Sequence, residues 1–202
     1  MSLRFNYDNT SYVWIPVTRT ATTSLRSALM RNSDITLDWE YKLEVEARAD
    51  PYVRTYNHVT YEETQAFTST DGTETYFSVV RNPMDRCISL YNYMRSAGWC
   101  AGTTFDSYWA AIIDDPTHEP NVAPGAYTIR LQKDIVNTSG TIYKYETELS
   151  DLQNHFNITM SVENEKPNVV SNEEIEAARS LIETHFNDDY IEFGYSKGNG
   201  LP

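Results

Sequence analysis

The amino-acid sequence predicts an α/β protein of three layers, with a central parallel β-sheet flanked by helices. Three observations predict it. Short apolar runs alternate with segments of helical periodicity, the order that builds a sheet covered on both faces. Two of the runs, residues 12–17 and 75–80, are almost continuously apolar, as strands buried on both faces must be. Each of the two leads directly into a turn and a helix start.

The first strand is predicted over residues 12–17. The chain then passes through residues 18–22 into a helix over about 23–30, with Leu25, Ala28 and Leu29 on one face. A second strand at 75–80 ends at Arg81-Asn82-Pro83, where Asn82 is a strong N-cap, Pro83 suits the first helical position and Asp85 falls in the first turn. A helix should therefore run to about Ala97 and stop at Gly98. Thr60 with Glu63 and Ser171 with Glu174 have capping-box spacing, and each should open a helix. The second of these carries Ile175, Ala178, Ile182 and Phe186 at helical spacing, a core stripe. Residues 141–145 read as a further strand, followed by a helix from about 148 to 156. Residues 114–125, rich in Pro, Asp and Asn, read as a long loop.

With 202 residues and 40% hydrophobic content, the chain suffices for one core, so a single domain over 1–202 is expected. A net charge of -13 argues against a nucleic-acid binder or a protein of anionic membrane surfaces, both of which rely on basic surface. An anionic ligand must then be held locally, and arginine, which outnumbers lysine 11 to 5, is placed for that in segments that read as ligand loops. Cys87 and Cys100 match no zinc-site spacing and are too few for a disulfide scaffold; they read as reduced and structural. Neither a secretory leader nor a membrane-spanning run is evident, so the expectation is a soluble, cytoplasmic protein with no metal.

A strand that delivers its chain into a helix N-terminus makes an anion site, because the first backbone N–H groups lack helical partners and the helix dipole favours negative charge. Here that turn is Arg19-Thr20-Ala21-Thr22-Thr23-Ser24, where hydroxyls and one guanidinium crowd together. It contains no glycine and is not the Gly-rich, lysine-bearing loop of nucleoside-triphosphate kinases.

These residues resemble the sulfotransferases that use 3'-phosphoadenosine-5'-phosphosulfate (PAPS), especially the carbohydrate sulfotransferases. The family's 5'-phosphosulfate loop runs Lys, Ser or Thr, Gly, then small hydroxylated residues; Arg19 stands here for the Lys and Ala21 for the usual Gly. The family's second element runs Arg, then Asn, Asp or Glu, then Pro-x-x-Arg-x-x-Ser-x-Tyr. The segment Arg81-Asn82-Pro83-Met84-Asp85-Arg86-Cys87-Ile88-Ser89-Leu90-Tyr91 fits every fixed place. The resemblance implies a P-loop nucleotide-hydrolase-like sulfotransferase fold, PAPS as co-substrate, Arg19, Thr20, Ala21, Thr22, Thr23 and Ser24 around its 5' end, and Arg81 with Ser89 on its 3'-phosphate. A guanidinium can grip phosphate oxygens in two places, and a serine hydroxyl adds a neutral donor. Arg86 reads as structural and Tyr91 as packing against the sheet.

Residues 142–146, Ile-Tyr-Lys-Tyr-Glu, are similar to the family's strand ending in Tyr-Glu, where the tyrosine lies against the adenine. Tyr145 has two open roles, that stacking contact or plain core packing. Phe193-Gly194-Tyr195 resembles the family's closing motif and reads as structural. An acceptor hydroxyl needs a general base, and histidine titrates in the useful range. His58 is preferred for its likeness in position to the catalytic histidine of carbohydrate sulfotransferases; an ordinary solvated histidine is the other reading. His118 lies in the long loop, His155 and His185 sit on helical patterns, and Glu62 and Glu63 are fallback bases. Arg19 is expected to stabilise charge on the leaving oxygen, but unlike lysine it stays protonated and offers only charge and hydrogen bonds. A module that has kept the fold and lost turnover is therefore the competing reading. Residues 50–67 and 98–125 are the expected walls for a small or carbohydrate acceptor; Trp99, Tyr108 and Trp109 have two open roles, stacking on a sugar or core packing, the commoner fate, and the partner state is open.

Overall fold

The structure is a computed structural model that describes residues 2–38, 60–67, 72–115, 130–161 and 166–198. The chain divides into two compact units, Met1–Val80 with Gln132–Asn164, and Arg81–Leu131 with Glu165–Pro202. Each unit has its own core.

The first unit carries the sheet. Strands β1 (Leu3–Tyr7) and β2 (Thr10–Trp14) form a hairpin that pairs Leu3 with Trp14 and Tyr7 with Thr10. Asp8 and Asn9, which join them, have φ of 46° and 60°. Two consecutive left-handed residues make the two-residue turn whose twist matches the strands, and Asp and Asn tolerate that conformation best among non-glycines. Helix α1 (Thr22–Arg31) follows, then the short β3 (Thr36–Leu37) and helix α2 (Tyr61–Phe67). Strand β4 (Thr75–Val80) lies parallel to β2, and β5 (Thr141–Lys144) parallel to β4. Among the described residues the sheet has five strands in the order β3-β1-β2-β4-β5. The expected parallel sheet is thus present as β2-β4-β5, and the antiparallel hairpin strand β1, with β3 beyond it, makes the whole sheet mixed.

Because side chains alternate along a strand, Phe77 and Val79 face one side while Tyr76 and Ser78 face the other. The first side packs with Leu3, Phe5 and Trp14 against Leu25, Ala28 and Leu29 of α1 and against Leu152 and Phe156 at helix α6 (Leu149–His155). Phe156 sits at the centre, its ring 5.4 Å from Phe5 and 5.0 Å from Phe77. On the second side α2 closes over Tyr76, which meets the Tyr61 ring edge-on at 4.9 Å and bonds Gln65. Helices therefore flank the sheet on both faces within this unit. Gly140, just before β5, is required by close approach: a Cβ there would sit 2.6 Å from the Tyr76 carbonyl oxygen. The unit also contains the short helix α5 (Gln132–Ile135).

The predicted first strand ended too late. β2 stops at Trp14, although Ile15, Pro16 and Val17 are all buried. Ile15 donates one last bond to Phe77 at 3.0 Å, and Pro16, without an N–H, ends the ladder.

The second unit is helical among its described residues: α3 (Pro83–Ser96), α4 (Phe105–Asp114), α7 (Asn172–His185) and α8 (Asn187–Glu192). The stripe Ile175, Ala178, Ile182 and Phe186 is buried as expected, together with Cys87, Ile88, Tyr91, Trp109 and Tyr190. Ser171 caps α7 through a complete capping box with Glu174, and Thr60 and Glu63 exchange the same two bonds ahead of α2. Both cysteines are free and buried, and burial raises both thiols above their usual range.

Candidate functional site

In the first unit, the turn between β2 and α1 is held in a conformation its residue types do not favour. Arg19 has φ of 67° and Ala21 has φ of 59° with ψ of 23°. The left-handed region costs roughly 1–2 kcal/mol for a residue with a Cβ. Arg19 and Ala21, on either side of Thr20, thus both lie in the left-handed region, the conformation from which backbone anion cradles are built. Ala21 is the N-cap of α1, and an alanine offers its helix no side-chain cap; the first turn holds no acidic residue either. The helix dipole favours negative charge at this end, and the basic Arg31 complements the far end. Thr23 is exposed, Arg19 and Thr22 are half-buried, and Thr20 and Ser24 are buried.

Tyr145, in the same unit, leaves β5 and donates its N–H to Val80 at 2.8 Å. Its ring packs against the core of this unit and is only partly buried. Glu146 is exposed.

In the second unit, α3 begins as the sequence predicts. The Asn82 side chain accepts from the N–H groups of Met84 at 2.9 Å and Asp85 at 3.5 Å, and Pro83 occupies the first helical position. This N-terminus is closed by its own cap. Between 81 and 92 only Arg81 and Ser89 are not buried. Ser89 lies about 10 Å further along the helix axis than Asn82.

Arg86 is a structural arginine. It is buried, donates to the Arg130 carbonyl at 3.1 Å and lies 5.8 Å over the Phe186 ring. Burial lowers its pKa, an effect that the nearby Asp189 carboxylate opposes. Tyr91 corrects the expectation of packing against the sheet. Its ring instead meets Phe105 at 5.4 Å and Tyr108 at 5.5 Å, and its hydroxyl donates to the Thr103 carbonyl. Tyr108 and Trp109 are core residues, while Trp99 is 37% exposed and meets Tyr93 edge-on.

His58 and His118 lie outside the described residues, as do most of the loop 114–125 and much of the two expected acceptor walls. Glu63 is occupied in its capping box and Glu62 is exposed. His155 lies 3.1 Å from the Tyr12 hydroxyl, and His185 stacks edge-on with Phe186 at 4.6 Å. Among the described residues no cluster of His, Cys, Asp and Glu is arranged to hold a metal ion, and no helix is long and apolar enough to cross a membrane.

Sequence reasoning missed one element of this site. Thr20 and Thr22 both donate their hydroxyls to the carbonyl of Val17, at 2.8 and 2.7 Å. The available signal was a pair of threonines three and five residues after Val17, just beyond the strand that Pro16 cuts short.

A parallel strand that feeds a left-handed turn and a helix without a side-chain cap, in a sheet with helices on both faces, defines an α/β protein. The family described as the Sulfotransferase family matches residues 5–121, a span that includes both the turn at Arg19 and the segment from Arg81 to Tyr91. The chain belongs to the sulfotransferase family. No curated protein and no solved structure matches it.

Proposed function

We propose that this chain transfers a sulfuryl group from PAPS to a hydroxyl of a carbohydrate or another small acceptor, as a cytoplasmic enzyme acting as one domain. The observation that carries the reading is the turn at Arg19 and Ala21, whose left-handed backbone leads into a helix with neither a side-chain cap nor an acidic first turn. Such a donor set suits a phosphosulfate and repels no part of it.

In this reading Arg19, Thr20, Ala21, Thr22, Thr23 and Ser24 hold the 5'-phosphosulfate, chiefly through backbone N–H groups. Arg81, just before the cap of α3, and Ser89 within α3, the less buried residues of the stretch from 81 to 92, hold the 3'-phosphate. Tyr145 offers its half-exposed ring to the adenine. In the transfer step the acceptor oxygen bonds to sulfur as the bond from sulfur to the bridging phosphate oxygen breaks. Adenosine 3',5'-bisphosphate leaves, and the acceptor proton passes to His58. Arg19 stabilises negative charge on the leaving oxygen without moving a proton.

One feature favours a second reading, a nucleotide-binding module without turnover: arginine stands where a proton-donating lysine is usual. Incubation with radiolabelled PAPS and a panel of hydroxylated acceptors, beside calorimetry with adenosine 3',5'-bisphosphate, separates the two. Labelled product supports the enzyme; nucleotide binding without product over the whole panel supports the module; absence of both removes the donor assignment.

A further inference from the structure

We propose that Thr20 and Thr22 are positioning residues whose hydroxyls clamp the Val17 carbonyl and thereby hold the glycine-free turn in its anion-cradling shape. The proposal rests on the reading of that turn as the donor site and adds how its shape is kept without glycine.

Val17 is fully buried and lies beyond the last ladder bond of β2, so its carbonyl must find donors outside the sheet. A carbonyl oxygen has two lone pairs, and here two hydroxyls use it, Thr20 at 2.8 Å and Thr22 at 2.7 Å. These residues lie on either side of Ala21, and Thr20 also follows Arg19, so the clamp spans both positive-φ positions. A threonine hydroxyl carries a single proton. While that proton is given to Val17, neither hydroxyl can donate to a phosphate or sulfate oxygen, and what these residues offer an anion is backbone N–H. Glycine would adopt the same φ without penalty, and its absence creates the need for an external restraint.

The test uses the full chain with Thr20→Val and Thr22→Val together, which keep the β-branch and remove the hydroxyls, Thr20→Ser with Thr22→Ser, which keep the hydroxyls, and the double valine variant carrying Ala21→Gly in addition. Adenosine 3',5'-bisphosphate affinity is read by calorimetry, and amide hydrogen exchange of residues 18–25 is read without nucleotide. The clamp predicts an affinity loss of about tenfold in the double valine variant, equivalent to roughly 1.4 kcal/mol, with faster exchange confined to that segment. It predicts near wild-type values for the serine variant and recovery of both readouts when Ala21→Gly is added. A loss of affinity that Ala21→Gly does not restore would mean that the hydroxyls touch the ligand and would overturn the proposal. So would unchanged affinity together with unchanged exchange. If the wild-type chain binds no nucleotide, the donor reading fails by itself, and the exchange data alone decide for or against the clamp.

Discussion

The side-chain oxygen of Asn82 accepts the backbone N–H of Met84 at 2.9 Å, which closes the N-terminus of the helix that follows Arg81. The other helix of interest is the reverse case, because Ala21 offers α1 no side-chain cap. One helix start is sealed by its own side-chain cap; the other has none. Asn82→Ala should therefore cost about 1 kcal/mol of stability, the ordinary worth of an N-cap. Asn82→Asp, an equally good cap, should cost little. Urea unfolding of the three proteins checks both expectations.

Ala21→Gly tests the strain in the turn. Relief of a left-handed alanine is worth roughly 1–2 kcal/mol, and the greater freedom of glycine in the unfolded chain removes about 0.4–1 kcal/mol of that. A net gain of about 0.5–1 kcal/mol is expected from these two effects. Ala21→Val should be destabilising, since a β-branched residue is a worse occupant of that region. The urea midpoint reads the sign directly.

The Glu174 carboxylate accepts the backbone N–H groups of Ser171 at 3.0 Å and Phe105 at 3.2 Å, so it ties the start of α7 to the start of α4. These bonds, that to the Ser171 backbone foremost, lower its pKa below the usual glutamate value. A depressed folded-state pKa gives stability that is present above the unfolded value, about 4.3, and is lost as pH falls through the folded one. Glu174→Gln keeps the capping geometry without the charge. The stability difference between the wild type and Glu174→Gln should be largest near neutral pH and should shrink as pH falls below about 4. Thermal melts across that range would show it; a constant difference would contradict the assignment.

His58→Ala should abolish transfer while leaving nucleotide affinity nearly intact, because a general base acts on the acceptor proton and not on the donor. Single-turnover sulfation is the measurement. An undiminished rate in the variant would exclude His58 as the base.

What was legible in the sequence is what short-range chemistry decides. Asn82 and Pro83 announce a helix start by themselves, and Ser171 with Glu174 do so by spacing alone; both caps form as written. The stripe from Ile175 to Phe186 identifies its buried face because the helical period fixes which residues share it. Choice of partner is not local, which is why Tyr91 was expected against a sheet and packs on Phe105 and Tyr108 instead. The hairpin strand β1 is weakly written: Asp8-Asn9 is a fair left-handed turn signal, but residues 3–7 do not by themselves say that they pair with 10–14. Nothing in the identity of Arg19 or Ala21 announces positive φ; that conformation depends on tertiary restraint. At the candidate site, the segment from Arg81 to Ser89 was readable because a helix N-cap orders it, whereas the role of Val17 was hidden, since a backbone carbonyl leaves no trace in a sequence.

We propose that the turn from Arg19 to Ser24 takes the 5' end of the nucleotide and that Arg81 takes its 3'-phosphate. The most direct test is calorimetry of the wild type, Arg81→Ala and Arg19→Ala with three ligands: adenosine 3',5'-bisphosphate, adenosine 5'-monophosphate and adenosine 3'-monophosphate. A charge-assisted contact worth roughly 1.5–3 kcal/mol corresponds to about a 10- to 100-fold change in affinity. Arg81→Ala should lose that much for the bisphosphate and the 3'-monophosphate while binding the 5'-monophosphate as the wild type does, and Arg19→Ala should show the mirror-image pattern. Equal losses for all three ligands in both variants, or a wild-type protein indifferent to the 3'-phosphate, would contradict the claim.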